Sequence, residues 1–159
     1  MSTFNRQAAS AYRNIGLETR TPQQDKHQLV ALMYETFLEA VNAAIGAIER
    51  QDVPEKIKKI NHALLLLRDG LEANLDMEQG GELSKNLAGL YDYCCIALMQ
   101  ANLKNDTAKL QEVIGLIKPV AEAWAQIRSQ ATGGGAASPE GAAGRNPATM
   151  QSMYSFTVG

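Results

Sequence analysis

The 159-residue sequence is short of most features that catalysis, secretion or nucleic-acid binding require. Its two cysteines, Cys94 and Cys95, are adjacent. Neighbouring side chains on a helix point about 100° apart, so the pair cannot close an ordinary disulfide. Two buried thiols in a reducing compartment is the expected state, and no Lys, Arg or His cluster stands beside them in sequence to activate either one. The histidines, His27 and His62, follow Gln24 and Lys59 at three positions, so neither makes the Glu-x-x-His pairing of a di-iron bundle. Both are expected at the surface or partly buried. There is no His-x3-His, Cys-x2-Cys, Walker A or Gly-x-Ser-x-Gly pattern, so no cofactor and no enzymatic activity are expected. Fifteen Lys and Arg against seventeen Asp and Glu give a net charge of −2, which lacks the basic excess that phosphate neutralisation demands. The opening MSTFNRQAASAYRN has no apolar core of a secretory signal. The longest aliphatic run, Leu64 to Leu67, is far shorter than a membrane span, so a cytoplasmic protein without membrane insertion is expected.

What is present is helical periodicity. Aromatics are only 6% of the chain, Leu and Ala are abundant, and the stripes recur at three and four residues. Residues 26–50 carry Leu29, Leu32, Met33, Phe37, Ala40, Val41, Ala44, Ile45 and Ile48 on one face, with Asp25 as the expected N-cap and Gln28 at the capping-box position. Residues 54–78 carry Ile57, Ile60, Leu64, Leu67, Leu71 and Leu75, opened by an Asp52–Glu55 capping box with Pro54 in the first turn and closed by Gly80–Gly81. Residues 82–104 carry Leu83, Leu87, Leu90, Cys94, Ala97, Leu98 and Ala101; Asn105 breaks the helix and Asp106 can cap the next. Residues 107–129 carry Leu110, Val113, Ile114, Ile117, Ala121, Trp124 and Ile127, with an expected kink at Pro119. The fold class is therefore all-α: an antiparallel four-helix bundle over 26–129, with an N-terminal arm over 1–25 and a tail over 130–159.

Three features suit binding. Leu64 to Leu67 covers all sides of its helix, so with Leu64 and Leu67 in the seam, Leu65 and Leu66 either pack on another helix or line an open apolar groove. Tyr12, Tyr34, Tyr91 and Tyr93 join an apolar body to a polar tip, with Tyr91 expected in the core and Tyr12 on the arm. Trp124 is expected in the core, and the charged stretch Glu55, Lys56, Lys58 and Lys59 on the solvated surface. The tail holds six of the thirteen glycines. Its composition is that of an unstructured terminus, but it ends in MQSMYSFTVG, and Met150–Val158 could instead dock in the bundle's own groove and compete with a partner there.

Several of these stretches together resemble the bacterial flagellar export chaperone family FliS: Ala11–Tyr12, LVALMYE at 29–35, DGLEANLDMEQGGELSKNLAGLYDY at 69–93, ALMQANLKND at 97–106 and Ala123–Trp124. The resemblance spans about residues 8–129. It departs in the longer arm around Thr21–Pro22 and at Glu35–Thr36–Phe37, where smaller residues are common in the family. It implies a cytosolic bundle that binds the disordered C-terminal segment of flagellin, keeps it from polymerising and hands it to the flagellar type III export apparatus, with room for a regulatory partner. On this basis Tyr12, Leu29, Met33, Tyr34, Leu65, Leu66, Leu87 and Tyr91 are the candidate flagellin-contacting residues. The residues alone leave a second reading open, a non-catalytic helical adaptor for other proteins; a bundle enzyme and a lipid-surface protein fit them less well.

Overall fold

The computed structural model describes residues 22–133 and 153–154; Tyr12 and most of the arm and tail lie outside them. The described chain forms four helices: α1 (Pro22–Glu49), α2 (Val53–Leu65, continued by a π-helical segment Leu66–Glu72), α3 (Gly81–Lys104) and α4 (Thr107–Gly133). α1 packs on α2 and α4, and α3 packs on α4 and α2, closing a four-membered ring around one core. At 28 residues, α1 is about 42 Å long. By length and composition, its stretch Asp25–Glu49 could also cross a membrane. Here it is a core helix, turning Val30, Tyr34, Phe37, Val41 and Ala44 onto the other three.

The helix ends follow from local chemistry. α1 starts at Pro22, earlier than expected, because proline suits the first helical position, where its missing N–H would be unpaired anyway. Asp25 is accordingly a first-turn residue and not the cap. After α1, Gln51 takes a left-handed φ of 59°, and Asp52 N–H reaches back to Ala47 C=O at 2.8 Å. Because that N–H is already used, only half of the expected capping box forms: Asp52 Oδ1 accepts from Glu55 N–H at 3.2 Å. α3 ends the same way, with Asn105 left-handed at φ 52° and Asp106 N–H bonded to Ala101 C=O, after which Asp106 Oδ1 caps α4 through Lys109 N–H. α4 runs through Pro119 as one helix and reaches Gly133.

α2 departs most from a regular helix. From Leu66 it widens to i→i+5 bonds, such as Ala73 N–H to Arg68 C=O at 2.9 Å. Within this segment, the Met33 side chain of α1 comes so close to Gly70 that a Cβ there would stand 2.7 Å from its Sδ. The Gly70 carbonyl is taken up by Asn74 Nδ2 at 2.6 Å. The expected helix to residue 78 therefore stops at Glu72, and Leu75 sits in the turn before α3. The change of pitch also settles the leucine run: Leu66 and Leu67 are buried, Leu64 half-buried and Leu65 exposed.

Lys56 overturns its expected surface role. It is buried, and its Nζ donates to Asn102 C=O at 3.0 Å and Asn105 Oδ1 at 2.7 Å, placing a cation at the C-terminus of α3. Its neighbour Ile57, expected in the seam, is turned out instead. Lys56→Ala should lower stability by about 2 kcal/mol, by losing charge-assisted hydrogen bonds. Gly89→Ala, exposed mid-helix in α3 with open space around its Cβ, should raise it by about 0.5–1 kcal/mol. Urea unfolding of the two variants checks both signs.

Candidate functional site

The first feature of note is the polar centre of the bundle. Tyr34 from α1 and Tyr91 from α3 meet across the ring, their hydroxyls 2.7 Å apart. A third phenol completes them: Tyr154 Oη lies 2.8 Å from Tyr34 Oη and 2.6 Å from Tyr91 Oη. Three hydroxyls carry three O–H donors, and three mutual bonds use all of them, so the group can be buried without an orphan. Trp124 of α4 meets the Tyr154 ring edge-on at 5.4 Å and stacks on His27 at 4.4 Å, and its Nε1–H donates to His27 C=O at 2.8 Å. His27 is thus buried, where a surface or partly buried histidine was expected.

Tyr154 and Met153 belong to the stretch whose composition suggests an unstructured terminus, yet both are fully buried. Tyr154 makes an isolated antiparallel bridge with Leu75, and Met153 C=O accepts from Asp76 N–H. Asp76 is held for this by its own turn, its Oδ1 accepting from Glu78 and Gln79 N–H.

The second feature is on the surface. Lys56 touches Asn102, and Arg68 Nε donates to Cys95 Sγ at 3.4 Å, so α2 and α3 run antiparallel along a shared seam. Ile57, Leu65, Ile96, Met99 and Leu103 are all exposed, Leu103 by 82%. At about 100° per residue, Ile57 is displaced from Lys56, Leu65 from Arg68, and Ile96, Met99 and Leu103 from Cys95 in the same rotational sense. On antiparallel helices the same sense means the same side of the seam. The five residues therefore form one apolar strip, which surfaces of monomeric proteins usually avoid unless it binds something.

The candidate residues divide between these features. Met33, Tyr34, Leu66, Leu87 and Tyr91 are in the core, Leu29 is half-buried against it, and Leu65 is exposed on the strip. Tyr12 lies outside the described residues. The sequence reading passed over Ile96, Met99 and Leu103, although their spacing of three and four marks a second apolar stripe on α3. It also gave Met153 and Tyr154 no fixed place. Among the described residues no group of three or more His, Cys, Asp or Glu could hold a metal.

Burial dominates the electrostatics. The Cys94 thiol is pushed up to about 12, and Cys95 is raised as well despite Arg68 beside it; both are unreactive, neutral core groups. Burial also raises Tyr34, and raises Tyr91 and Tyr154 well above the usual phenol value.

The described residues form an antiparallel helical bundle with an exposed apolar strip, a surface suited to binding another protein. The family model described as Flagellar protein FliS matches residues 8–131, and the chain belongs to that family. It is 38% identical over 122 residues to the flagellar secretion chaperone FliS of Salmonella typhimurium, covering 77% of this chain and 90% of that one. It is 38% identical over 117 residues to flagellar secretion chaperone FliSB of Pseudomonas aeruginosa, covering 74% and 92%. Identity to the FliS of Bacillus subtilis is 32% over 117 residues, covering 74% and 83%. The family is one of chaperones, not of catalysts.

The raised phenols and thiols fix the sign of the alkaline response. A group that holds its proton more tightly folded than unfolded contributes fully below its unfolded pKa and loses that contribution as pH rises toward the folded value. Stability should fall from about pH 9 as the thiols ionise in the unfolded chain, and faster above about pH 10, by up to about 1.4 kcal/mol per pH unit for each phenol. Unfolding followed at 295 nm should show the buried phenols ionising together with loss of helix. Independent, gradual titration would contradict their burial.

Proposed function

We propose that the chain is a cytoplasmic export chaperone whose client is the C-terminal segment of flagellin, held out of premature polymerisation and passed to the flagellar export apparatus. Membership of the FliS family supports the chaperone role. The observation that carries the binding mode is the strip of Ile57, Leu65, Ile96, Met99 and Leu103 along the α2–α3 seam. An amphipathic helix laid along that seam can bury its own apolar face against it. A long bundle offers such a segment a ready-made template, so the ordering cost falls on the client alone.

In this reading the candidate residues take different parts. Leu65 makes direct contact in this reading. Met33, Leu66 and Leu87 shape the walls from inside, and Tyr34 and Tyr91 become accessible only when Tyr154 leaves them. Leu29, half-buried near the start of α1, and Tyr12 complete the proposed client contacts.

Calorimetric titration with the last forty or so residues of the same organism's flagellin should give saturable binding with a gain of helix in the segment. Leu65→Glu and Met99→Glu should each weaken it by tenfold or more, because a charge is then desolvated on binding, while leaving the melting temperature nearly unchanged. Absence of heat and of helix gain at micromolar concentrations would reject the client assignment.

A further inference from the structure

Tyr154 stands out because it enters the bundle centre from beyond the end of α4. Between Gly133 and Met153 runs a tether of roughly twenty residues, whose extended reach of up to about 65 Å exceeds the length of any helix here. A connection of that length lets the dipeptide reach its pocket but does not force it in. What holds it there is local: the two phenol bonds, the edge contact with Trp124, the Leu75 bridge and the Asp76 N–H bond.

We propose that Tyr34, Tyr91, Trp124 and the Leu75–Asp76 turn form a tyrosine-receiving pocket, and that Met153–Tyr154 is its built-in, releasable occupant, competing with the client for the bundle. The pocket walls come from all but one of the helices and from the turn before α3. Without Tyr154, the two remaining hydroxyls share one bond, and one O–H is left without an acceptor in the core. An empty pocket therefore favours any incoming segment that brings an aromatic ring with a hydroxyl at its tip and an extended backbone able to pair with Leu75 and Asp76. The chain's own C-terminal segment meets both requirements and is already tethered. Competition follows because Tyr34 and Tyr91 are walls of this pocket and also belong to the client-contacting set, so this step rests on the flagellin reading above.

Trp124 is the only tryptophan in the chain, so its emission reports on the pocket alone. Full-length wild type, Tyr154→Phe and Tyr154→Ala should be compared by Trp124 emission, and by titration with a tryptophan-free flagellin C-terminal segment. With the latch removed, Tyr154→Ala should show red-shifted emission and bind the segment about tenfold tighter, with Tyr154→Phe between it and wild type. A synthetic peptide of residues 148–159 added in trans should restore the emission of Tyr154→Ala and weaken its binding of the segment. Equal affinities of wild type and Tyr154→Ala would overturn the competition, while wild-type binding would leave the chaperone reading intact. If Tyr154→Ala fails to fold, Tyr154→Phe with and without the trans peptide carries the same comparison against wild type. If no variant binds flagellin, the client reading fails, and the trans peptide alone tests the pocket: no change in Trp124 emission would reject it. Wild-type emission that changes on dilution, together with a dimeric mass by light scattering, would overturn the intramolecular latch in favour of exchange between two copies.

Discussion

A phenol hydroxyl buried among aliphatic side chains must find a partner or cost the fold about 1–3 kcal/mol. That constraint organises the centre of this bundle. Tyr34 and Tyr91 come from helices on opposite corners of the ring, and their hydroxyls meet across it. Bonding them to each other leaves one donor over, and the third hydroxyl of Tyr154 closes the set. Once three polar tips are fixed at the axis, the neighbours are constrained too. Trp124 lies edge-to-face with Tyr154, stacks on His27, and its indole N–H ties α4 to the first turns of α1. The polar centre thus sets the relative rotation of α1, α3 and α4, which aliphatic packing alone leaves looser.

The four helices and most of their inward residues could be read from the sequence because apolar spacing encodes burial directly. Tyr91, Trp124, Cys94, Leu67, Leu71, Leu87 and Leu98 are buried where their periodicity puts them. The failures cluster where a three-dimensional contact overrides the local pattern. Lys56 reads as a solvated charge until the end of α3 supplies carbonyl and amide oxygens for it, and its burial then turns Ile57 outward. α2 reads as a regular helix to residue 78 because nothing in its own sequence announces the wider pitch from Leu66 or the close approach of the Met33 side chain to Gly70. His27 reads as a surface or partly buried group because its stacking partner lies far along the chain in Trp124.

The site was legible to a different degree. The strip on the α2–α3 seam needs two facts that no single helix contains: that α2 and α3 are antiparallel neighbours, and that Ile57 and Leu65 rotate to the same side as Ile96, Met99 and Leu103. Each helix alone shows a second, weaker apolar stripe, which is easily taken for surplus core. The burial of Tyr154 depends on a pairing across 120 positions with Tyr34, which periodicity cannot reveal.

The two features differ in the kind of binding they support. The surface strip is continuous, exposed and made of flexible aliphatic side chains, so it tolerates many apolar partners and contributes affinity through area. The central pocket is small and demands a hydroxyl at one position, so it discriminates. Burying the Met153 and Tyr154 side chains yields about 3–6 kcal/mol, while fixing the backbone costs about 1–2 kcal/mol for each residue ordered. With opposing amounts of this size, the dipeptide is bound but never locked. A scaffold that carries a permissive groove and a selective, self-occupied pocket at its centre can stay closed in isolation and open for a client that satisfies both. The same polar centre that fixes the helix rotations in the core therefore also sets how readily the bundle gives up its own tail.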